Sequence, residues 1–102
     1  MTYDERVEGW VVDMACLRRY ALAEYRARAM EHSTECALMG HCVESGYGVV
    51  DAVGSLVALD TEATPYVVAA LRACSQESGV RLQVERQSRH GEMMTTTVRH
   101  IT

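Results

Sequence analysis

The sequence predicts an α+β fold that is mainly β, in which five short antiparallel strands form a small barrel. Two observations lead to this prediction. Five segments are rich in β-branched residues or alternate between apolar and polar residues, and both patterns favour strands. Two segments of good helix formers interrupt them, one after the first strand and one between the third and the fourth. The helices therefore occupy two fixed places in a series of strands.

Periodicity and turn residues assign the strands individually. The predicted strands cover residues 6–14, 47–50, 55–60, 80–87 and 93–101. In the first strand, Gly9 indicates a bend or a bulge. The second and third strands are separated by Asp-Ala-Val-Gly, which predicts a hairpin. In the fourth strand, Val80, Leu82 and Val84 alternate with polar residues, so we expect these three side chains to point into the core.

The helical segment after the first strand carries typical boundary residues. Residues 15–30 are good helix formers with apolar residues at helical spacing, which predicts one helix. Ser33 or Thr34 is suited to cap a second, short helix, and Gly46 is suited to its C-terminus. Gly40 lies inside that second helix and is expected to loosen it.

The remaining helix completes the order of elements. Thr64 is the predicted N-cap, Pro65 the first helical residue and Gly79 the residue past the end. The order is then strand, helical insertion, strand, strand, helix, strand, strand, which is the connectivity of an OB-like barrel. We therefore predict a single OB-like domain over residues 1–102, with the helical insertion at about 15–46.

Composition bounds the possible partners and location. The formal net charge is −4 at pH 7, whereas nucleic-acid affinity rests mainly on basic groups. The predicted second and third strands also offer only one aromatic residue, Tyr47, so no nucleic-acid partner is expected. The chain has no apolar run of about 18 residues, so we expect no membrane span. The polar, acidic N-terminus lacks signal-peptide features, so a cytoplasmic location is expected unless a signal peptide has been removed.

The most unusual stretch is EHSTECALMGHC at residues 31–42, with two histidines and two cysteines. Thiolate and imidazole are ligands that zinc prefers, and a structural zinc site uses four ligands in a tetrahedron. Another cysteine follows the first strand and completes a Cys₃His set. The predicted metal ligands are Cys16, His32, Cys36 and Cys42, with His41 as an alternative. The sequence thus favours a small metal-binding protein in which the ion is structural, sensed or carried.

The spacing of these residues leaves a geometric question. On a helix, His32 and Cys36 lie one turn apart and share a face. Cys42 would then point about 120° away from Cys36 on the same continuous helix. A break at Gly40 would bring Cys42 back towards the other ligands. Asp13, at the end of the first strand, could either orient a metal-bound histidine or cap the segment that follows.

Metal identity and redox chemistry are open at this point. Met14, Met30 and Met39 lie near the cysteines in sequence, and thioether with thiolate would favour monovalent copper. Zinc remains the first choice because thiolate and imidazole satisfy it without methionine. Alternatively, a disulfide between Cys36 and Cys42, or between Cys16 and Cys42, would make a thiol–disulfide or protein-interaction module without a metal. Buried, inert thiols are a third interpretation.

The remaining candidates carry less functional information. Cys74 falls on the apolar face of its predicted helix and is interpreted as a core residue. His90, beside a turn, and His100, on the last strand, are interpreted as surface residues. A cysteine nucleophile with a histidine base is formally available, but no substrate pocket is indicated, so an enzyme is not favoured. An exposed edge strand makes a homodimer possible.

The first strand also carries a motif that resembles a known group of proteins. The pattern Gly-x-Val-Val-Asp-x-x-Cys runs from Gly9 to Cys16 and is followed by His32, Cys36 and Cys42. It resembles a loose group of small bacterial OB-like domains of unassigned function. Their first strand has the same pattern and precedes a helical segment with a histidine and two cysteines. The resemblance implies an OB-like fold and a shared Cys/His cluster, and it brings no established activity.

Overall fold

Five antiparallel strands form the framework of the computed structural model, which describes residues 3–101. The strands are β1 (Glu5–Asp13), β2 (Tyr47–Val50), β3 (Leu56–Ala58), β4 (Arg81–Arg89) and β5 (Glu92–Ile101). They form one sheet in the order β3-β2-β1-β4-β5. The predicted α+β class with five antiparallel strands is confirmed, and the predicted hairpin joins β2 to β3, while β4 pairs with β5.

The sheet does not close into a barrel, so the predicted OB-like barrel is not confirmed. Within residues 3–101, β3 and β5 are the two edges of the sheet. A side chain spans the gap between them. Asp60, which follows β3, accepts hydrogen bonds from the Thr95 N–H at 2.9 Å and the Thr95 hydroxyl at 2.6 Å on β5. At this point of the β5 edge, the backbone N–H therefore binds a carboxylate instead of a neighbouring strand.

Short helices make up the insertion between β1 and β2. The helices of the chain are α1 (Met14–Leu17), a 3-10 turn (Leu22–Glu24), α2 (Tyr25–Glu31), α3 (Thr34–Ala37), α4 (Gly40–Ser45) and α5 (Ala63–Ala73). The prediction of one helix over 15–30 is wrong, since the chain turns between α1 and α2. This turn allows Leu17 and Ala29 to be buried in the same core cluster. Helix propensity carries no information on such packing.

The boundaries of α5 also differ from the prediction. The helix begins at Ala63 with Glu62 as its N-cap, so Thr64 lies inside it, and it ends at Ala73, well before Gly79. Pro65 is still accommodated, because the N–H groups of the first helical turn have no intrahelical partner and a missing N–H costs nothing there.

Side chains on both faces of the sheet are buried. One core cluster joins α5 to the sheet and includes Val11, Val49, Val67, Leu71, Val80, Leu82 and Val84. The second joins the insertion to the sheet through Val12, Leu17, Ala29 and Val50. The predicted inward positions of β4 are thus confirmed. Within the described residues, none of the helices is both long and apolar enough to cross a bilayer.

Gly9 lies where β1 changes partners, from β4 to β2. The strand pairs with β4 up to Trp10 and with β2 from Trp10 onwards. A Cβ atom at position 9 would lie 2.7 Å from the carbonyl carbon of Val50 and 2.8 Å from a methyl carbon of Val49. Both distances are too short for real Cβ contacts, so only glycine permits this approach of β2.

We expect Gly9→Ala to lower the free energy of unfolding by about 2 to 3 kcal/mol, because the added methyl group overpacks the β1–β2 contact. Gly40→Ala is the matched control, since a Cβ at position 40 meets no atom within 4 Å, and its effect should stay within about 0.5 kcal/mol. Urea unfolding of both variants measures the difference. Equal effects of the two substitutions would contradict this account of β1.

Candidate metal centre

Four side chains from four separate elements meet at one end of β1. They are Asp13 at the end of the strand, Cys16 in α1, Cys36 in α3 and Cys42 in α4. One ligand atom of each lies within 4.8 Å of the ligand atoms of the other three. Asp13 and Cys42 are fully buried, whereas Cys16 and Cys36 are half-buried. This carboxylate and these three sulfurs could bind a metal ion.

Asp13 is held by two hydrogen bonds that use different carboxylate oxygens. Oδ2 accepts the backbone N–H of Cys16 at 2.9 Å, which caps α1. Oδ1 lies 2.6 Å from Nε2 of His32. The predicted cap is therefore confirmed. The second contact reverses the other role that the sequence allows, in which Asp13 orients a metal-bound histidine. In the structure His32 orients the carboxylate of Asp13, and Asp13 itself lies close to the cysteines.

Local hydrogen bonds position Cys36. Ser33 caps α3 by accepting the backbone N–H of Cys36 at 3.0 Å, as one of the two predicted caps. At the other end of the helix, the hydroxyl of Tyr47 donates to the carbonyl of Ala37 at 2.6 Å. Tyr47 is buried on β2, so this bond ties α3 to the sheet. Both ends of the short helix that carries Cys36 are thus fixed.

The position of Cys42 follows from a break in the chain at Gly40. Helix α3 ends at Ala37 and α4 begins at Gly40, which returns Cys42 to the cluster as a broken helix was expected to do. Ser45 then joins α4 to α1, since its hydroxyl oxygen accepts the N–H of Ala15 at 3.0 Å and its O–H donates to the carbonyl of Cys42 at 2.7 Å. Cys16 and Cys42 are thereby held side by side.

Hydrogen bonds control the charge of Asp13. Burial alone would raise the pKa of this carboxyl group, because it removes the charged form from water. The hydrogen bonds from His32, from the Cys16 N–H and from the Cys42 thiol outweigh that effect and lower the pKa of Asp13 from 3.8 to about 2. Asp13 is therefore a carboxylate at neutral pH and available as an anionic ligand.

The pKa values of the buried thiols are shifted in the opposite direction from that of Asp13. Burial, the hydrogen bond with Cys36 and the charge of Asp13 raise the pKa of Cys16 to about 12. Burial and the Asp13 carboxylate likewise raise the pKa of Cys42 to about 11. Both groups are neutral thiols at pH 7 when no cation is present. A cation in the cluster would reverse this balance, since thiolate is the form that binds metal.

A cavity gives access to two of the sulfurs. Its volume is about 310 Å³ and its wall includes Cys16, Cys36 and His32, together with the arginines Arg19 and Arg28. The fully buried Asp13 and Cys42 lie behind these residues. An ion or a reagent from solvent would therefore meet Cys16 and Cys36 first.

The structure brings together three of the five ligands predicted from the sequence. These three are Cys16, Cys36 and Cys42, and the fourth member of the cluster is Asp13. His32 contacts Asp13 and lies outside the cluster itself, and His41 is exposed on α4. The sequence had a signal for Asp13, since it ends a strand three residues before a predicted ligand. Spacing alone does not predict that this carboxylate is a ligand, because burial cannot be read from spacing.

The sulfurs are free and close. All four cysteines of the chain are thiols, and the Sγ atoms of Cys16 and Cys36 are 3.4 Å apart. The two disulfides considered from the sequence both involve Cys42, whereas the short sulfur–sulfur contact is between Cys16 and Cys36. Among protein families, curated proteins and solved structures, no match to this chain is found, so the chemistry rests on this geometry.

In the presence of a chelator, we expect Asp13 to make unfolding pH-dependent at acid pH. Its pKa is lower in the folded chain, about 2 against 3.8, so its contribution is complete above pH 4 and is lost as the pH falls towards 2. The wild type should lose about 1 to 2 kcal/mol more than Asp13→Asn over this range. Urea unfolding at several pH values measures it.

The control for this experiment is Glu44→Gln, which removes one exposed carboxylate from α4. This variant should follow the wild type through the acid range. If Asp13→Asn also follows the wild type, the hydrogen bonds described above do not hold Asp13 in its charged form.

Proposed function

We propose that the protein binds one zinc ion through Asp13, Cys16, Cys36 and Cys42, and that this ion stabilises the helical insertion. The observation that carries the proposal is the approach of four ligand atoms, from four elements, to within 4.8 Å of one another. The carboxylate of Asp13 raises the cost of ionising the buried thiols beside it, so without a cation these thiols keep their protons. A divalent cation would reverse this balance, because it binds the thiolate form.

The distances are close to those that zinc requires. A Zn–S bond of about 2.3 Å places two sulfurs of a tetrahedron about 3.8 Å apart. The Cys16 and Cys36 sulfurs, 3.4 Å apart, are already near that value. The other pairs of ligand atoms lie within 4.8 Å, so they need to approach one another by roughly 1 Å to reach a tetrahedral spacing.

The ligand set favours zinc over monovalent copper. Zinc accepts carboxylate oxygen together with thiolate, whereas monovalent copper favours thiolate and thioether sulfur. Met30 and Met39, which lie near the cysteines in sequence, are 44% and 50% exposed, which argues against these two as thioether ligands. Copper remains the alternative metal.

A structural role follows from the number of protein ligands. Four side chains fill the tetrahedron of zinc and leave no open position for a substrate. The ion would join β1 to α1, α3 and α4, none of which is long enough to be stable alone. Its binding energy would then contribute directly to the folding of the insertion. In a variant of this proposal the protein senses or carries the metal, and the cavity beside Cys16 and Cys36 would let the ion enter and leave.

A second candidate function is a thiol–disulfide module that uses the same cysteines. The 3.4 Å separation of the Cys16 and Cys36 sulfurs favours it, because a small movement would bring them to bonding distance. The raised pKa values of Cys16 and Cys42 argue against it, since a neutral thiol is a poor nucleophile in disulfide exchange. The metal is therefore preferred.

Three other expectations remain predictions. They are the OB-like relationship, a homodimer through an edge strand and the absence of nucleic-acid binding. The strand pairings of the sheet are those of an OB-like barrel that lacks one closing contact, between β3 and β5, which supports the first of them.

Native mass spectrometry of protein purified without chelator tests the proposal. We expect the mass of one metal ion per chain, lost on denaturation and identified as zinc by elemental analysis. Chelator should lower the melting temperature, and reductant should leave it unchanged. Cys36→Ser should lose the ion, whereas Cys74→Ser, the matched control outside the cluster, should keep it. Metal-free protein with a Cys16–Cys36 disulfide would favour the second candidate, and four free thiols without metal would contradict both.

The two histidines distinguish an orienting role from direct ligation. We expect His32→Ala to weaken zinc affinity by about 10- to 100-fold, because Asp13 loses the group that orients it. His32→Gln keeps an N–H donor and should lose only a few-fold, whereas His41→Ala should have no effect. Competition with a chromophoric chelator measures these affinities. Equal losses for His32→Ala and His32→Gln would indicate that His32 binds the metal directly.

A further inference from the structure

A second cysteine–histidine pair lies outside the metal cluster. Cys74 directly follows α5, and His100 lies near the end of β5. The Sγ atom of Cys74 is 3.7 Å from Nε2 of His100. The sequence predicts Cys74 in the core and His100 at the surface, whereas both are half-buried. They meet because β5 packs against α5.

Gln76 determines which atom carries the hydrogen in this pair. Its side-chain NH₂ group donates to the carbonyl of Ser78 at 3.0 Å and to that of Gly79 at 3.2 Å. Its oxygen therefore faces the other way, 3.2 Å from Nε2 of His100. An amide oxygen can only accept a hydrogen bond, so Nε2 of His100 must carry the hydrogen. The same N–H group also lies beside the sulfur, so its one hydrogen is shared between the amide oxygen at 3.2 Å and the sulfur at 3.7 Å from Nε2.

The sulfur of Cys74 thus lies between two N–H donors. Besides the imidazole, the backbone N–H of Gln76 donates to it at 3.3 Å. Hydrogen bonds to the anion stabilise a thiolate, which is the nucleophilic form of cysteine. The environment is the opposite of that of Cys16 and Cys42, whose sulfurs face a carboxylate and other thiols.

Cys74 lines a cavity of about 750 Å³. Its wall combines the apolar side chains of Leu38 and Leu71 with groups of both charges, namely Arg72, Glu35 and Glu77. A guanidinium group would pair with a carboxylate of a ligand, and a glutamate with an ammonium group. The cavity therefore suits a small zwitterionic molecule with an apolar part.

We propose that Cys74 is a site of reversible S-thiolation by small disulfides of amino-acid-type thiols, which carry both a carboxylate and an ammonium group. The Cys74 thiol releases its proton to solvent, and the thiolate attacks one sulfur of the disulfide. The S–S bond of the reagent breaks, a mixed disulfide forms with Cys74, and the other half leaves as a thiolate that takes up a proton. The disulfide is the oxidant, and no other is needed.

The geometry indicates stoichiometric modification. In a nucleophile–base pair, the base accepts the proton of the thiol. Here Nε2 of His100 is a donor fixed by Gln76, so it stabilises charge on sulfur and does not accept a proton through that atom. His100 is accordingly a positioning residue, and no turnover is expected.

Oxidised glutathione is a suitable probe, applied to the protein as purified. We expect a single adduct, reversed by reductant and mapped by peptide mass spectrometry to Cys74, which should react about tenfold faster than any other cysteine. Reaction first at Cys16 or Cys36, through their own cavity, would overturn the proposal. Because this readout is the position of the adduct, it is independent of whether the cluster binds zinc.

Two variants and a second reagent make the test specific. His100→Asn should slow the adduct at Cys74 at least fivefold without changing the melting temperature, while His90→Asn should react like the wild type. If His100→Asn does not fold, Gln76→Leu serves instead, since it keeps the backbone donor and removes the acceptor that fixes the hydrogen on Nε2 of His100, together with the side-chain bonds to Ser78 and Gly79. Wild-type rates in whichever variant is used would overturn the role of His100.

The charged groups of the cavity are tested with a neutral disulfide, 2-hydroxyethyl disulfide. Its rate and that of oxidised glutathione are each divided by the rate at Cys74 in the denatured chain. We expect the normalised rate to be higher for oxidised glutathione. Equal normalised rates would overturn the assignment of a zwitterionic ligand.

Discussion

The insertion depends on one buried carboxylate, that of Asp13. It terminates β1, begins α1 and holds His32, so three segments of the chain meet at its two oxygens. A buried charge is costly unless it is hydrogen-bonded, and here both oxygens are satisfied. The same carboxylate raises the cost of ionising the neighbouring thiols. The centre is thus organised around an anion that favours a cation beside it.

Besides the apolar contacts of Leu17 and Ala29 with the sheet, hydrogen bonds to backbone groups attach the rest of the insertion. The segment before β4 pairs with the start of α3: Thr34 N–H donates to the carbonyl of Glu77 at 2.8 Å, and Gly79 N–H donates to that of His32 at 3.1 Å. Together with the bond from Tyr47 to Ala37, these contacts place His32 and Cys36 against the sheet. Helices of four to seven residues contribute little stability alone, which explains why an additional linkage at their centre would be useful.

Features that depend on local sequence could be predicted, and those that depend on burial could not. The alternation of Val80, Leu82 and Val84, the cap by Ser33, the break at Gly40 and the turn before β5 each follow from a few neighbouring residues. The separation of α1 from α2 depends on packing of Leu17 and Ala29 against the sheet. Asp13 joined the cluster in place of His32 because the end of β1 is buried, and spacing carries no information on that.

The two kinds of cysteine in this chain lead to a division of chemistry. Cys16 and Cys42 lie among anionic and neutral acceptors, where a proton or a metal ion must balance the sulfur. The sulfur of Cys74 instead faces two N–H groups, those of His100 and Gln76. The contact between Cys74 and His100 cannot be predicted from the sequence, because the two residues are 26 positions apart. In addition, α5 ends at Ala73, earlier than the position of Gly79 predicts. The cluster is therefore suited to holding a cation and Cys74 to reacting with an electrophile. A single domain can carry both chemistries because the hydrogen-bonding environment of each sulfur decides its form.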